Sequence, residues 1–166
     1  MEILDIRDIT QEFGGLRALD RVSITVNEQD IFGLIGPNGA GKTTLFNIVT
    51  GIYRPTSGQI MFRGQPTQGL PPYRIARSGI GRTFQNIRLF SKLSVQDNLL
   101  VSAHSISKVN ILANMFGLPG ARREEKAVAQ KAGELLDMLG LYEKRMEYAD
   151  SLAYGEQRKL EIARAL

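Results

Sequence analysis

The sequence predicts an α/β fold built around a phosphate-binding loop, and three observations predict it. Gly36-Pro37-Asn38-Gly39-Ala40-Gly41-Lys42-Thr43, backed by Thr44, spells G-x-x-x-x-G-K-[ST]. The apolar run Ile31-Phe32-Gly33-Leu34-Ile35 before it reads as a buried strand, and Thr43-Thr44-Leu45-Phe46-Asn47-Ile48-Val49 after it reads as the opening of a helix. Short period-two segments dominate the first part of the chain and helical periodicity the part beyond Asn86.

Taken in order, Leu4-Ile6 with Arg7-Asp8-Ile9, then Val22-Ile24-Val26, alternate as half-buried strands do. Gly14-Gly15 and the Asn27-Glu28-Gln29-Asp30 cluster supply turns between and after them. Ile60-Met61-Phe62 is a third such strand, so the expected arrangement is an antiparallel sheet wrapped around the strand that leads into the loop. In that loop three glycines permit backbone turns that side chains obstruct, and the amides they release converge on phosphate oxygens. The helix that follows adds its partial positive charge. Lys42 is spaced to reach the β- and γ-phosphates of a nucleoside triphosphate, and the Thr43 hydroxyl to ligate Mg²⁺.

Gly79-Ile80-Gly81-Arg82-Thr83-Phe84 reads as a further strand ending at Gln85. Ser94 then caps a helix whose first turn holds Asp97 and whose apolar face begins with Leu99 and Leu100. A second helix is marked by Val128, Ala132, Leu135, Leu136 and Leu139 at helical spacing, with Gly140 where it should stop. The domain division is residues 1–93 for the loop core and β subdomain, 94–150 for a helical subdomain, and 151–166 for a last segment entering a helix.

Composition removes several classes. The 166 residues contain no cysteine, which excludes a disulfide framework and thiolate metal sites and suits a reducing compartment. Uncharged stretches such as Val109–Ala121 are short and broken by Gly117, Pro119 and Gly120, so no membrane span is expected. Met1-Glu2-Ile3-Leu4-Asp5 lacks the basic and apolar regions of a signal peptide. The net charge of +4 is scattered, without the aromatic interleaving of a nucleic-acid surface, and no nucleic-acid partner is expected. Arg122-Arg123 runs directly into Glu124-Glu125-Lys126, as on a solvated helix face. His104, in the helical region, reads as an ordinary helix histidine.

Ser151-Leu152-Ala153-Tyr154-Gly155-Glu156-Gln157-Arg158 resembles the signature of ATP-binding-cassette (ABC) ATPases, usually L-S-G-G-Q. With the phosphate loop upstream and Gln85 between, the chain resembles a P-loop NTPase of that family, an α/β ABC ATPase core with an N-terminal antiparallel β subdomain and an inserted helical subdomain. The resemblance implies ATP and Mg²⁺ as cofactors. It puts Gln85 in the Q-loop, touching Mg²⁺ or its water and reporting nucleotide state to a membrane partner. Phe13, 29 residues before Lys42, takes the position from which the family stacks a ring on adenine. Ala153, Tyr154, Gly155 and Glu156 take the positions that meet the γ-phosphate held by a second ATPase subunit, homo- or heterodimeric. Three of them depart from the usual residues. Ala153 removes a hydroxyl, Tyr154 replaces the first glycine, and Glu156 adds a negative charge unless its carboxylate turns to cap its own helix.

Gly81-Arg82-Thr83-Phe84-Gln85-Asn86-Ile87-Arg88-Leu89-Phe90, the segment Leu93–Leu100, and the insertion through Met115-Phe116-Gly117-Leu118-Pro119 narrow the resemblance to the ATPase subunit of branched-chain amino-acid importers. This implies transmembrane permease partners and a peripheral place on the cytoplasmic face of the cell membrane. An exporter subunit of the lipopolysaccharide type, a noncatalytic nucleotide-binding fragment, and a soluble ABC protein of ribosomes or DNA repair are the rivals. The family's Asp-Glu strand (Walker B) and switch histidine are not found in these residues. The expectation is therefore an incomplete sheet, low stability, and a chain that binds ATP but hydrolyses it poorly.

Overall fold

The computed structural model describes residues 1–84, 86–106 and 119–166, and its chain divides into two compact units, Met1–Ile80 and Gly81–Leu166. Gln85 and the expected insertion through Met115–Leu118 lie outside the described residues.

The first unit is built on a four-stranded antiparallel sheet in the order β2-β1-β3-β4. β1 (Glu2–Phe13) and β2 (Leu16–Asn27) form a hairpin closed by Gly14-Gly15, and β3 (Ser57–Phe62) pairs with the other edge of β1. β4 (Gln65–Pro66) completes it. Ile6 faces Ile24 on one side and Ile60 on the other, so one apolar row crosses three strands. Register shifts on both sides of β1 fall between Ile6 and Thr10, where Asp8 is left-handed at φ 50° and its amide is caught by Ser23 Oγ at 2.9 Å. Gly58 lies against this kink: a Cβ there would sit 2.6 Å from the carbonyl oxygens of Arg7 and Asp8.

Helix α1 (Lys42–Val49) lays Leu45 and Ile48 on the sheet, where they close a core with Ile6, Ile9, Leu19 and Ile60. Each such side chain contributes about 1.5–3 kcal/mol when fully buried. That core fixes the start of α1 against β2. Helix α2 (Pro72–Ser78) follows, with Pro72 in its first turn and Gly79 ending it at φ 108°.

Two expected strands are corrected. Residues 31–35 precede the loop as irregular chain paired with no strand, with Leu34 alone half-buried on the core while Ile31 and Ile35 are fully exposed. A strand is defined by a ladder, and no strand among the described residues pairs with this one. Residues 79–84 also form no strand, for the same lack of a paired edge. Gly79 belongs instead to the end of α2.

The second unit is helical. Helix α3 (Val95–Ile106) is capped as expected: Asp97 N–H donates to Ser94 Oγ at 3.0 Å, and the Ser94 hydroxyl returns a bond to the Asp97 carboxylate at 2.7 Å. Helix α4 (Pro119–Met138) buries Ala132 and Leu136 and half-buries Leu135, and Leu139 just past its end is half-buried on the same core. It ends in a Schellman turn, with Gly140 at φ 69° and Leu141 N–H bonded to Leu136 C=O at 2.8 Å. Two short 3₁₀ turns, Tyr142–Lys144 and Ala149–Ser151, lead into helix α5 (Tyr154–Ala165). Val95, Leu99, Leu141, Leu152 and Leu160 join Leu136 in one core among these helices.

Candidate functional site: a phosphate loop and a self-capped signature helix

Residues 36–41 lead from residues 31–35 into α1. Gly39 and Gly41 hold left-handed φ of 87° and 82°. Gly41 is required twice over, because a Cβ there would lie 2.6 Å from both the Ala18 carbonyl oxygen and Leu19 Cδ2. Glycine thus lets the loop press onto β2. The first α-helical bond runs from Leu45 N–H to Gly41 C=O at 2.9 Å, so the amides of Lys42, Thr43 and Thr44 have no acceptor within the helix. Such an end, with its partial positive charge, suits an anion.

Lys42 Nζ donates to the carbonyls of Gly36 and Pro37, both at 2.6 Å. The ammonium is folded back across its own loop and neutralises two carbonyl dipoles there. Thr43 is exposed and Thr44 half-buried, while Pro37, Asn38 and Ala40 lie on the exposed rim, with Ala40 N–H turned back to Pro37 C=O at 3.2 Å. The donor set is a cation, a free helical turn and an exposed hydroxyl. It fits a triphosphate with a divalent cation. Among the described residues no group of three or more His, Cys, Asp or Glu side chains could hold a metal.

Phe13, at the end of β1, is exposed rather than part of the core. Its ring meets Tyr53 edge to face, with centroids 5.3 Å apart. Tyr53 was not singled out from sequence, since no periodicity marks it. Its N–H is held by Asn47 C=O at the end of α1, at 3.1 Å.

In the second unit the signature opens α5. Ala153 is the residue before the helix, and Glu156 turns back to accept the Ala153 amide on Oε2 at 3.1 Å. This is the reciprocal half of a capping box; alanine has no oxygen to supply the other half. Glu156 Oε1 meanwhile accepts Lys144 Nζ at 2.7 Å. Lys144 first and the Ala153 amide second hold the Glu156 carboxyl below its ordinary range, and the hydrogen bond to Glu156 raises Lys144. Tyr154 is exposed, its ring beneath the Arg158 guanidinium at 5.8 Å, and Gly155 has open space where a Cβ would be. The signature glutamate is therefore neutralised by its own chain.

Sequence reasoning missed three buried or half-buried polar residues of this unit: Asn98, Arg158 and Glu161 bond main-chain groups near Gln85. An acid three residues after an arginine on a helix was the available signal, and it is also the pattern of an ordinary surface pair.

Comparison with known proteins agrees with this geometry. A family model described as "ABC transporter" matches residues 19–166. The high-affinity branched-chain amino acid transport ATP-binding protein BraF of Pseudomonas aeruginosa is 46% identical over 99% of the chain, and LivG of Escherichia coli, of the same description, is 44% identical over 99%. The chain spans 64% of the length of each of these relatives. Among solved structures, the ADP conformation of an ATP-binding cassette of an ABC transporter superposes with a TM-score of 0.82 at 36% identity, covering 100% of this chain and 65% of that one. Phosphate loop, signature helix and overall similarity converge, and the chain belongs to the ABC transporter family.

Proposed function

We propose that this chain is the nucleotide-binding part of an energy-coupling ATPase subunit of an importer for branched-chain amino acids. One observation carries the binding step: a helix start with unpaired amides, a lysine folded over it, and an exposed threonine beside it. The 44–46% identity to two branched-chain amino acid transport proteins supports the transport step.

In this reading Lys42 leaves the carbonyls of Gly36 and Pro37 for the β- and γ-phosphates, and the amides of Lys42, Thr43 and Thr44 cradle the phosphate oxygens. Thr43 Oγ1 would hold the metal, and the Phe13 ring, in edge contact with Tyr53, would stack on the base. Bound Mg²⁺ would supply neutralisation of the triphosphate charge. The signature amides of Tyr154 and Gly155 face the γ-phosphate held by a second ATPase subunit, those of Ala153 and Glu156 being engaged within their own turn, and the pair docks on transmembrane permease subunits at the cytoplasmic face. Gln85 is the reporter between nucleotide and permease. These residues supply the groups that hold the phosphates, and orientation of the attacking water is a separate requirement of phosphoryl transfer. No helix among the described residues is long and apolar enough to cross a membrane.

The test is the full-length protein assembled with its permease subunits in liposomes. Leucine-loaded binding protein is expected to stimulate ATP hydrolysis, and Lys42→Ala to abolish it. Stimulation by lipopolysaccharide instead, or hydrolysis indifferent to any solute, would overturn the importer reading.

A further inference from the structure

Within the second unit, the loop that follows Gly81 is gripped at the peptide immediately before Gln85. Phe84 N–H donates to Glu161 Oε1 at 3.3 Å, and Phe84 C=O accepts Arg158 Nη1 at 2.7 Å. The two gripping side chains stand one turn apart on α5 and pair with each other at 2.6 Å. Further on, Arg88 C=O accepts a bond from Arg164, also on α5. The loop's far end is held the same way: Asn98, fully buried, accepts Phe90 N–H at 2.9 Å and donates to Phe90 C=O at 3.0 Å.

Glu161 is the informative member. Its side chain is only 7% exposed, and burying a carboxylate is costly unless a cation and hydrogen bonds compensate it. An apolar residue would fill that helix position at lower cost. What the carboxylate provides is an acceptor for one particular main-chain amide, and Arg158 provides the matching donor to the carbonyl of the same residue. A helix rises 1.5 Å per residue, so Glu161 lies about 9 Å along a stiff rod from the signature amide of Gly155.

We propose that Arg158 and Glu161 are positioning residues that lock the main chain next to Gln85 to the signature helix, so that the loop and the signature amides move as one body. This rests on the ATPase reading above. A shift of the loop would then be delivered to the signature through two side chains pinned to each other, and loss of the grip would slow turnover while leaving nucleotide affinity intact.

The experiment uses the full-length protein assembled with its permease subunits. Glu161→Ala and Arg158→Ala are expected to lower kcat about tenfold or more with KM for ATP unchanged within about twofold, the scale of a typical coupling between sites. Glu161→Gln keeps an acceptor for Phe84 N–H and is expected to recover most of the loss. Hydrogen exchange of the peptide spanning residues 81–90 should quicken in Glu161→Ala, with exchange of the phosphate loop unchanged. Unchanged kcat and unchanged exchange in both alanine variants would overturn the proposal, as would a kcat loss matched by a collapsed melting transition and an equal rise in KM. Lys42→Ala separates the two ideas: hydrolysis that survives it removes the ATPase reading, and the exchange measurement still decides the grip.

Discussion

At the residue scale, Gly41 and Glu156 carry the sharpest consequences. Gly41→Ala places a Cβ 2.6 Å from a main-chain oxygen that cannot yield, at a φ of 82° that itself costs about 1–2 kcal/mol for an L-residue. Chemical denaturation should show the first unit destabilised by at least about 2 kcal/mol, with nucleotide binding lost alongside. For Glu156 the folded state depresses the carboxyl pKa, chiefly through Lys144. Its contribution is therefore present above the ordinary glutamate value of about 4.3 and is lost as pH falls through the lower folded value. Glu156→Gln should remove that acid-sensitive part, so a melting curve of the second unit taken between about pH 3 and 6 should flatten. An unchanged pH slope would show that the Lys144 pair is screened away, as exposed pairs often are.

At the element scale, α4 and the start of α3 hold the helical unit together. Leu136→Ala, at a site with no exposure, should cost about 2–5 kcal/mol. Asn98→Ala should cost more than a single hydrogen bond, because it strips both Phe90 main-chain groups of their partner while removing a fully buried side chain. Both are read from denaturant midpoints. The elements that were legible in sequence share a reason: β1, β2, β3 and α4 each bury one face, so their periodicity records their packing. Residues 31–35 and 79–84 were misread because apolar content says a segment wants burial without saying what it pairs with. The phosphate loop was legible because its chemistry is local, from Gly36 to Thr44. The kink at Asp8, the pairing of Phe13 with Tyr53, and the grip of Arg158 and Glu161 on Phe84 are long-range, and one sequence carries no trace of such contacts.

At the scale of the whole molecule, each unit has its own core, and the phosphate loop leads into a helix anchored on the core of the first. Leu45 and Ile48 of α1 pack on the same sheet that Gly41 presses against, so occupation of the loop must stabilise that unit. The exposed Ile31 and Ile35 flank the same loop and present apolar surface to solvent. Replacing both with lysine should reduce any concentration-dependent self-association seen by light scattering. The most direct test of nucleotide binding by this chain is its thermal unfolding with and without Mg-ATP, beside Lys42→Ala. At a ligand concentration about 100 times Kd, stabilisation is about 2.7 kcal/mol, a rise of roughly 5–10 °C that the Lys42 variant should lack. A melting transition that Mg-ATP leaves in place, or shifts equally in Lys42→Ala, would contradict a phosphate loop that binds nucleotide through Lys42.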